Sequence, residues 1–92
     1  MLGNDLLASA LEACALLAGA SDDYERAIVL LSGAESLRRS AEIPLTPLEH
    51  ALLERELGPA RAAFDEVRYN TLRERGRGLH IDDLVAEAIA PN

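Results

Sequence analysis

The chain has no tryptophan and no lysine, one phenylalanine, two tyrosines and a single cysteine, Cys14. Three aromatics in 92 residues, with few β-branched side chains, exclude a sheet protein, because strands draw on those residue types to fill a pleated surface. One thiol excludes an intramolecular disulfide and gives no support to a stapled, secreted fold. No apolar run approaches the roughly 18 residues that span a bilayer. Residues 6–20 are apolar-rich, but Glu12 interrupts them and no basic stretch precedes them, which argues against a signal peptide. The expected location is the cytoplasm. Without lysine there is no GxxxxGK[ST] phosphate loop and no nucleotide site of that type. Arginine alone supplies the positive charge, a pattern of GC-rich bacterial coding that bears on source rather than function.

What the chain has instead is alanine and leucine, 16 and 17 residues respectively, the composition of a packed helical protein. Its length fits one domain at the small end of the independently stable range. The formal net charge of −7 repels phosphate backbones and disfavours a general nucleic-acid role.

Helical periodicity predicts about five helices. The first spans residues 4 or 5 to 18, capped by Asn4 or Asp5, with Leu7, Leu11, Cys14 and Ala18 on one face. Leu6, Ala10 and Leu17 widen that face, so burial on two sides is expected. Gly19 and Ser21-Asp22-Asp23 end it. The second spans residues 22–39, with a core stripe of Tyr24, Ala27, Ile28, Leu31, Ala34 and Leu37. Acidic residues stand at its start and Arg38 and Arg39 at its end, as the helix dipole favours. Ile43-Pro44-Leu45 reads as an extended linker. Thr46-Pro47-Leu48-Glu49 is the strongest boundary: Thr46 as N-cap, Pro47 in the first turn and Glu49 completing a capping box. That third helix reaches residue 57, where Gly58-Pro59 breaks or kinks it. A fourth spans residues 59–75 with a stripe of Ala60, Ala63, Phe64, Val67 and Thr71, flanked by Tyr69 and Leu72. Asp65-Glu66 marks a possible second break, and Gly76 is the expected C-cap. The last spans residues 81–90, with Ile81, Leu84, Val85, Ala88 and Ile89 on one face.

The first two helices, residues 1–41, resemble a tetratricopeptide repeat. Leu11, Cys14, Ala15 and Ala18 fall on its first-helix positions, and Ala27, Leu31 and Ala34 on its second. Leu11, Ala18 and Arg39 stand where that pattern has Trp, Tyr and Pro. Over residues 7–90 the order Tyr24-Glu25-Arg26-Ala27, Leu30-Leu31-Ser32-Gly33-Ala34-Glu35-Ser36-Leu37-Arg38, Ile43-Pro44-Leu45-Thr46-Pro47 and Gly76-Arg77-Gly78-Leu79-His80-Ile81-Asp82-Asp83-Leu84-Val85-Ala86-Glu87-Ala88 resembles one family. It is the C-terminal helical repeat segment of LuxR-type regulators and large bacterial signal-transduction ATPases. Arg73 and His80 depart from the Trp and the Ser or Thr expected there. The resemblance implies an all-α fold, a tetratricopeptide-like hairpin followed by a C-terminal helical cap over residues 42–92. It also implies a role in transcription regulation or signal transduction, with ATPase and DNA-binding functions carried elsewhere.

Candidate chemistry is sparse. Cys14 reads as a small core hydrophobe, and nothing basic beside it in the sequence would activate it. His50 and His80 do not make a known metal spacing with Asp82 and Asp83, so they read as surface or cap residues. The pairs Asp22/Asp23 and Asp82/Asp83 stand at helix starts, where capping explains them better than acid–base catalysis. Arg73, Arg75 and Arg77 read as helix-end charge with salt bridges rather than an anion site. The Leu45–Glu49 stretch resembles the opening of a LuxR-type DNA-binding domain. No basic recognition helix follows, and residues 81–90 hold acids but no Arg or Lys.

The expectation is therefore a non-catalytic protein-interaction or regulatory module with no cofactor and no metal. The alternative is a small DNA-associated transcription factor, which a band shift at low salt would reveal. A single repeat hairpin cannot cover its own apolar face. The first helix is thus expected to expose Leu2, Leu6, Ala10 and Leu17, together with Glu12, as an interface. A second copy, or preceding repeats of a longer chain, would cover it, and a strictly monomeric stable species counts against that.

Overall fold

The computed structural model describes residues 3–91. The fold is all-α and compact, with 81% helix and no strand among the described residues. Its radius of gyration of 12.1 Å matches the roughly 12 Å of a globular chain this long. Among the described residues six helices occur in place of about five: α1 (Asn4–Ala20), α2 (Tyr24–Ala41), α3 (Pro47–Glu56), α4 (Gly58–Ala62), α5 (Glu66–Gly78) and α6 (Ile81–Ile89). The extra helix arises because both suspected breaks are real. Gly58-Pro59 starts α4, and Asp65 starts α5 as an N-cap whose carboxylate accepts the Arg68 backbone N–H at 2.8 Å.

α1 and α2 form an antiparallel hairpin. Glu12 meets Arg38 near one end, and Gly19 lies beside Ala27 near the other. Both helices end two residues later than expected. Gly19 continues α1, and the stop comes at Asp22, which takes the left-handed conformation with φ of 62°. Asp23 N–H then bonds back to Ala18 O at 2.8 Å and Asp22 N–H to Gly19 O at 3.1 Å. Glu42, with φ of 58°, ends α2 in the same way, Ile43 N–H bonding to Arg38 O at 3.0 Å. These are Schellman closures made without the usual glycine. At the N-terminus of α1, Gly3 occupies the cap without a side-chain bond, so neither Asn4 nor Asp5 caps it.

α2 is the centre of the molecule. Residues 27–34 are buried without interruption, because α1 packs on one side and α5 and α6 on others. The expected stripe was too narrow: Val29, Leu30, Ser32 and Gly33 are buried as well. On α1 the core face is Ala8, Leu11, Ala15 and Ala18, rotated slightly from the expected one, with Leu7 and Cys14 only half buried. The alanines let the two backbones come close, which is why they rather than the larger residues face α2.

The break before Asp65 also resets the phase of the following helix. The stripe expected over residues 59–75 is therefore wrong in its second half: Val67 is 77% exposed, and Ala63 and Thr71 are exposed too. Leu72 and Gly76 take the buried side, with Tyr69 half buried. Gly76 is not a C-cap. It lies inside α5 where that helix meets α2, and a Cβ there would strike the Val29 carbonyl oxygen and come within 2.8 Å of Ser32 Cβ. Gly33 leaves a similar space that the Leu84 side chain fills, docking α6. The third helix follows expectation fully. Thr46 N–H donates to Glu49 Oε1 at 2.9 Å, and Glu49 N–H donates to Thr46 Oγ1 at 3.2 Å.

Candidate functional site

The outward side of α1 is built on a locked inner side. Arg38 of α2 donates through Nε to Glu12 Oε2 at 2.6 Å and through Nη2 to Glu12 Oε1 at 2.8 Å. The same guanidinium reaches Ser9 Oγ at 3.1 Å and the Ile43 carbonyl at 3.0 Å. One side chain thus ties α1, α2 and the linker before α3. The Glu12 hydrogen bonds raise the Arg38 pKa above its ordinary value, with burial working against them. Glu12 was expected on the exposed face. It is buried instead, because its bidentate partner Arg38 sits on the facing helix rather than in solvent at a helix end.

Directly opposite the core face, α1 carries a second apolar stripe. Leu6, Ala10, Ala13, Leu17 and Ala20 are all exposed, Leu6 to 54% and Leu17 to 69%. Their spacing alternates four and three residues, the rhythm that lets one helix pair with another. Three of the four expected interface residues, Leu6, Ala10 and Leu17, stand on this stripe, and Leu2 lies outside the described residues. Ala13 and Ala20 belong to it and were not singled out. The 4–3 spacing in the sequence was the signal for them.

Two open grooves run along this side. One of about 250 Å³ lies between α1 and α3, lined by Ser9, Ala13, Leu16, Glu49 and Leu52 among others. The second, about 770 Å³, is lined by Ala13, Leu16, Leu17, Asp22, Tyr24 and Glu56 among others. They meet at Ala13 and Leu16 and make one trough. Leu52 of α3, absent from the expected set, is 45% exposed on its flank.

The other singled-out side chains are dispersed. Cys14 is half buried in a shallow cleft of about 130 Å³ beside Leu17, Arg26 and Ala88. His50 stands on α3 with Nε2 at 3.7 Å from Glu54 Oε1. His80 caps α6, its Nδ1 accepting the Asp82 N–H at 3.3 Å. Asp22 accepts the Tyr24 hydroxyl at 3.0 Å, which raises the tyrosine's pKa, and Asp23 pairs with Arg26 at 3.2 Å. Arg73 bridges α5 to Glu35 of α2 at 3.0 Å, and Arg75 bridges to Glu87 of α6 at 3.2 Å. Tyr69 lies between Arg61 and Arg73, whose guanidinium carbons are 5.6 and 5.8 Å from its ring centre. Among the described residues, no three His, Cys, Asp or Glu are grouped to hold a metal ion. No helix among them is long and apolar enough to cross a membrane. On α6, only Leu84 of the expected face is buried; Ile81, Val85 and Ile89 are exposed. The reason is that α6 docks mainly through Leu84, in the space over Gly33, with Ala88 half buried against the core. Comparison with protein-family models, curated proteins and solved structures finds no match to this chain.

Proposed function

We propose that the chain is a non-catalytic protein-interaction and regulatory module that presents the outward stripe of α1 to a partner helix. The single observation behind this reading is the exposed Leu6–Ala10–Ala13–Leu17–Ala20 series on a helix whose opposite face is already packed. An apolar stripe of that spacing gains nothing from water. Burying a leucine side chain fully is worth about 1.5–3 kcal/mol, so a covering helix would draw its affinity from Leu6 and Leu17. The alanines between them allow close approach of the two backbones.

The regulatory part of the reading rests on the resemblance of residues 7–90 to the C-terminal repeats of LuxR-type regulators. The α1–α2 hairpin agrees with it in form, as does the reciprocal cap at Thr46 and Glu49. Direct DNA contact has no such support: α6 presents Asp82 and Asp83 in its first turn and has no basic residue in its last.

The test is a double substitution, Leu6→Asp with Leu17→Asp. Both positions are exposed, so urea unfolding is expected to change by no more than about 0.5 kcal/mol. Binding of a fluorescent leucine-striped amphipathic helix, read by anisotropy, is expected to disappear. A variant that unfolds, or one that binds as the parent does, contradicts the reading.

A further inference from the structure

We infer that the occupant of the α1 trough is a basic amphipathic helix from another protein rather than a second copy of this chain. The inference rests on the interaction reading above and adds the sign of the partner's charge. No arginine lines either groove, whereas Glu49 stands at one end of the trough and Asp22 and Glu56 at the other. α1 itself carries Asp5 in its first turn and no basic residue in its last.

Most arginines are engaged away from this rim; Arg55 is the exception, since it pairs with the rim acid Glu56 at 3.1 Å and leaves Asp22 and Glu49 as the rim carboxylates outside any salt bridge. Seven of the nine are tied to carboxylates of the same chain: Arg26 to Asp23, Arg38 to Glu12, Arg55 to Glu56, Arg61 to Glu54, Arg68 to Glu25, Arg73 to Glu35 and Arg75 to Glu87. Among the described residues, Asp5, Asp22 and Glu49 enter no salt bridge. A second copy set against the same face would therefore bring carboxylates to carboxylates, whichever way the two helices ran. Like charges placed together across an interface select against the pairing.

The shape selects the conformation of the partner. The trough is walled by helices, and their backbone groups are bonded internally. An extended peptide would find no edge with which to pair and would leave its own N–H and C=O groups unmet. A helix satisfies its own backbone and needs only an apolar stripe. From Ser9 to Ala20 the floor is about three turns long, so a partner helix of three to four turns fills it. Its leucines would sit over Ala13 and Ala20, and its Lys or Arg residues would reach the two acidic ends.

The experiment uses the full chain and three probes: a helical peptide with a leucine stripe flanked by lysines, its twin flanked by glutamates, and the chain alone in sedimentation velocity. The lysine peptide is expected to bind at least about tenfold more tightly than the glutamate twin. Added salt should narrow the gap, since exposed charges are screened beyond about 8–10 Å at physiological ionic strength. Asp22→Asn should weaken the lysine peptide by about two- to fivefold. Asn tolerates the left-handed backbone at position 22, so the variant keeps the turn. The chain alone should sediment as a monomer, in place of the pairing with a second copy expected from the sequence. Equal binding of both peptides at α1 overturns the basic-partner inference and leaves the interaction reading standing. So does self-association that Leu17→Asp abolishes. No binding of either peptide by a monomeric chain overturns both.

Discussion

At the scale of single residues, the side chain that contributes most to order is Arg38. A helix-end arginine is ordinarily a solvated charge, and sequence position alone gave no reason to read this one otherwise. What decides its role is the distance of 26 residues to Glu12, a long-range contact that hairpin geometry creates and local pattern does not reveal. Removing one partner of a buried pair strands the other charge, which costs about 3–5 kcal/mol. Glu12→Ala is therefore expected to lower the unfolding free energy by that amount in urea titration. Glu12→Gln, which keeps an acceptor for the guanidinium, is expected to cost clearly less. A loss below about 1 kcal/mol for Glu12→Ala would mean that the pair is solvated like a surface bridge. The same contact explains why Glu12 is buried while Leu6, Ala10 and Leu17 are exposed. Apolar exposure follows from counting positions around a helix, whereas the burial of an acid depends on a partner across it.

Among the elements, the boundaries that were legible are those written in local chemistry. Thr46, Pro47 and Glu49 specify a helix start by themselves, and α3 begins there. The Thr46 backbone N–H, followed by the Thr46 side chain and the nearby Arg38 charge, depresses the Glu49 pKa below 4.5. A carboxylate whose folded pKa is lowered contributes stability that is present above the unfolded value and lost as pH falls through the folded one. The first turn of α3 is thus expected to loosen as pH drops below 4.5, seen as increased amide exchange at residues 48–50. Glu49→Gln should flatten that dependence. Thr46→Ala should cost about 0.5–2 kcal/mol at neutral pH.

Helix ends that use left-handed acids were not legible. Gly19 carried the usual stop signal, yet the chain stops at Asp22, and Gly76 carried it while serving as a contact point. α5 touches α2 through Gly76, so Gly76→Ala must displace the Val29 backbone or the helix itself. Overpacking of this kind costs about 1–3 kcal/mol. The expected result is a lowered thermal midpoint with helix content unchanged by circular dichroism; an unaltered midpoint would show that α5 shifts freely.

For the molecule as a whole, composition foretold an all-α fold: aromatic residues are too few, three in all, to fill a sheet. The central position of α2 was hidden, because a helix buried on all sides has no single stripe to detect. Ser32 and Gly33 lie off the expected stripe and are buried, Ser32 against Gly76 of α5 and Gly33 under Leu84 of α6. Once α2 takes the middle, α1 becomes an outer helix with one face packed and the other open. Its charge setting then gives the open face a preference. Amide-shift mapping of the ¹⁵N-labelled chain on addition of the lysine-flanked leucine helix tests that account most directly. Shifts concentrated at Ala13, Leu17, Ala20 and Leu52 are predicted, and they should vanish in the Leu17→Asp variant. Shifts that are absent, or that cluster on Val85 and Ile89 of α6, would contradict it.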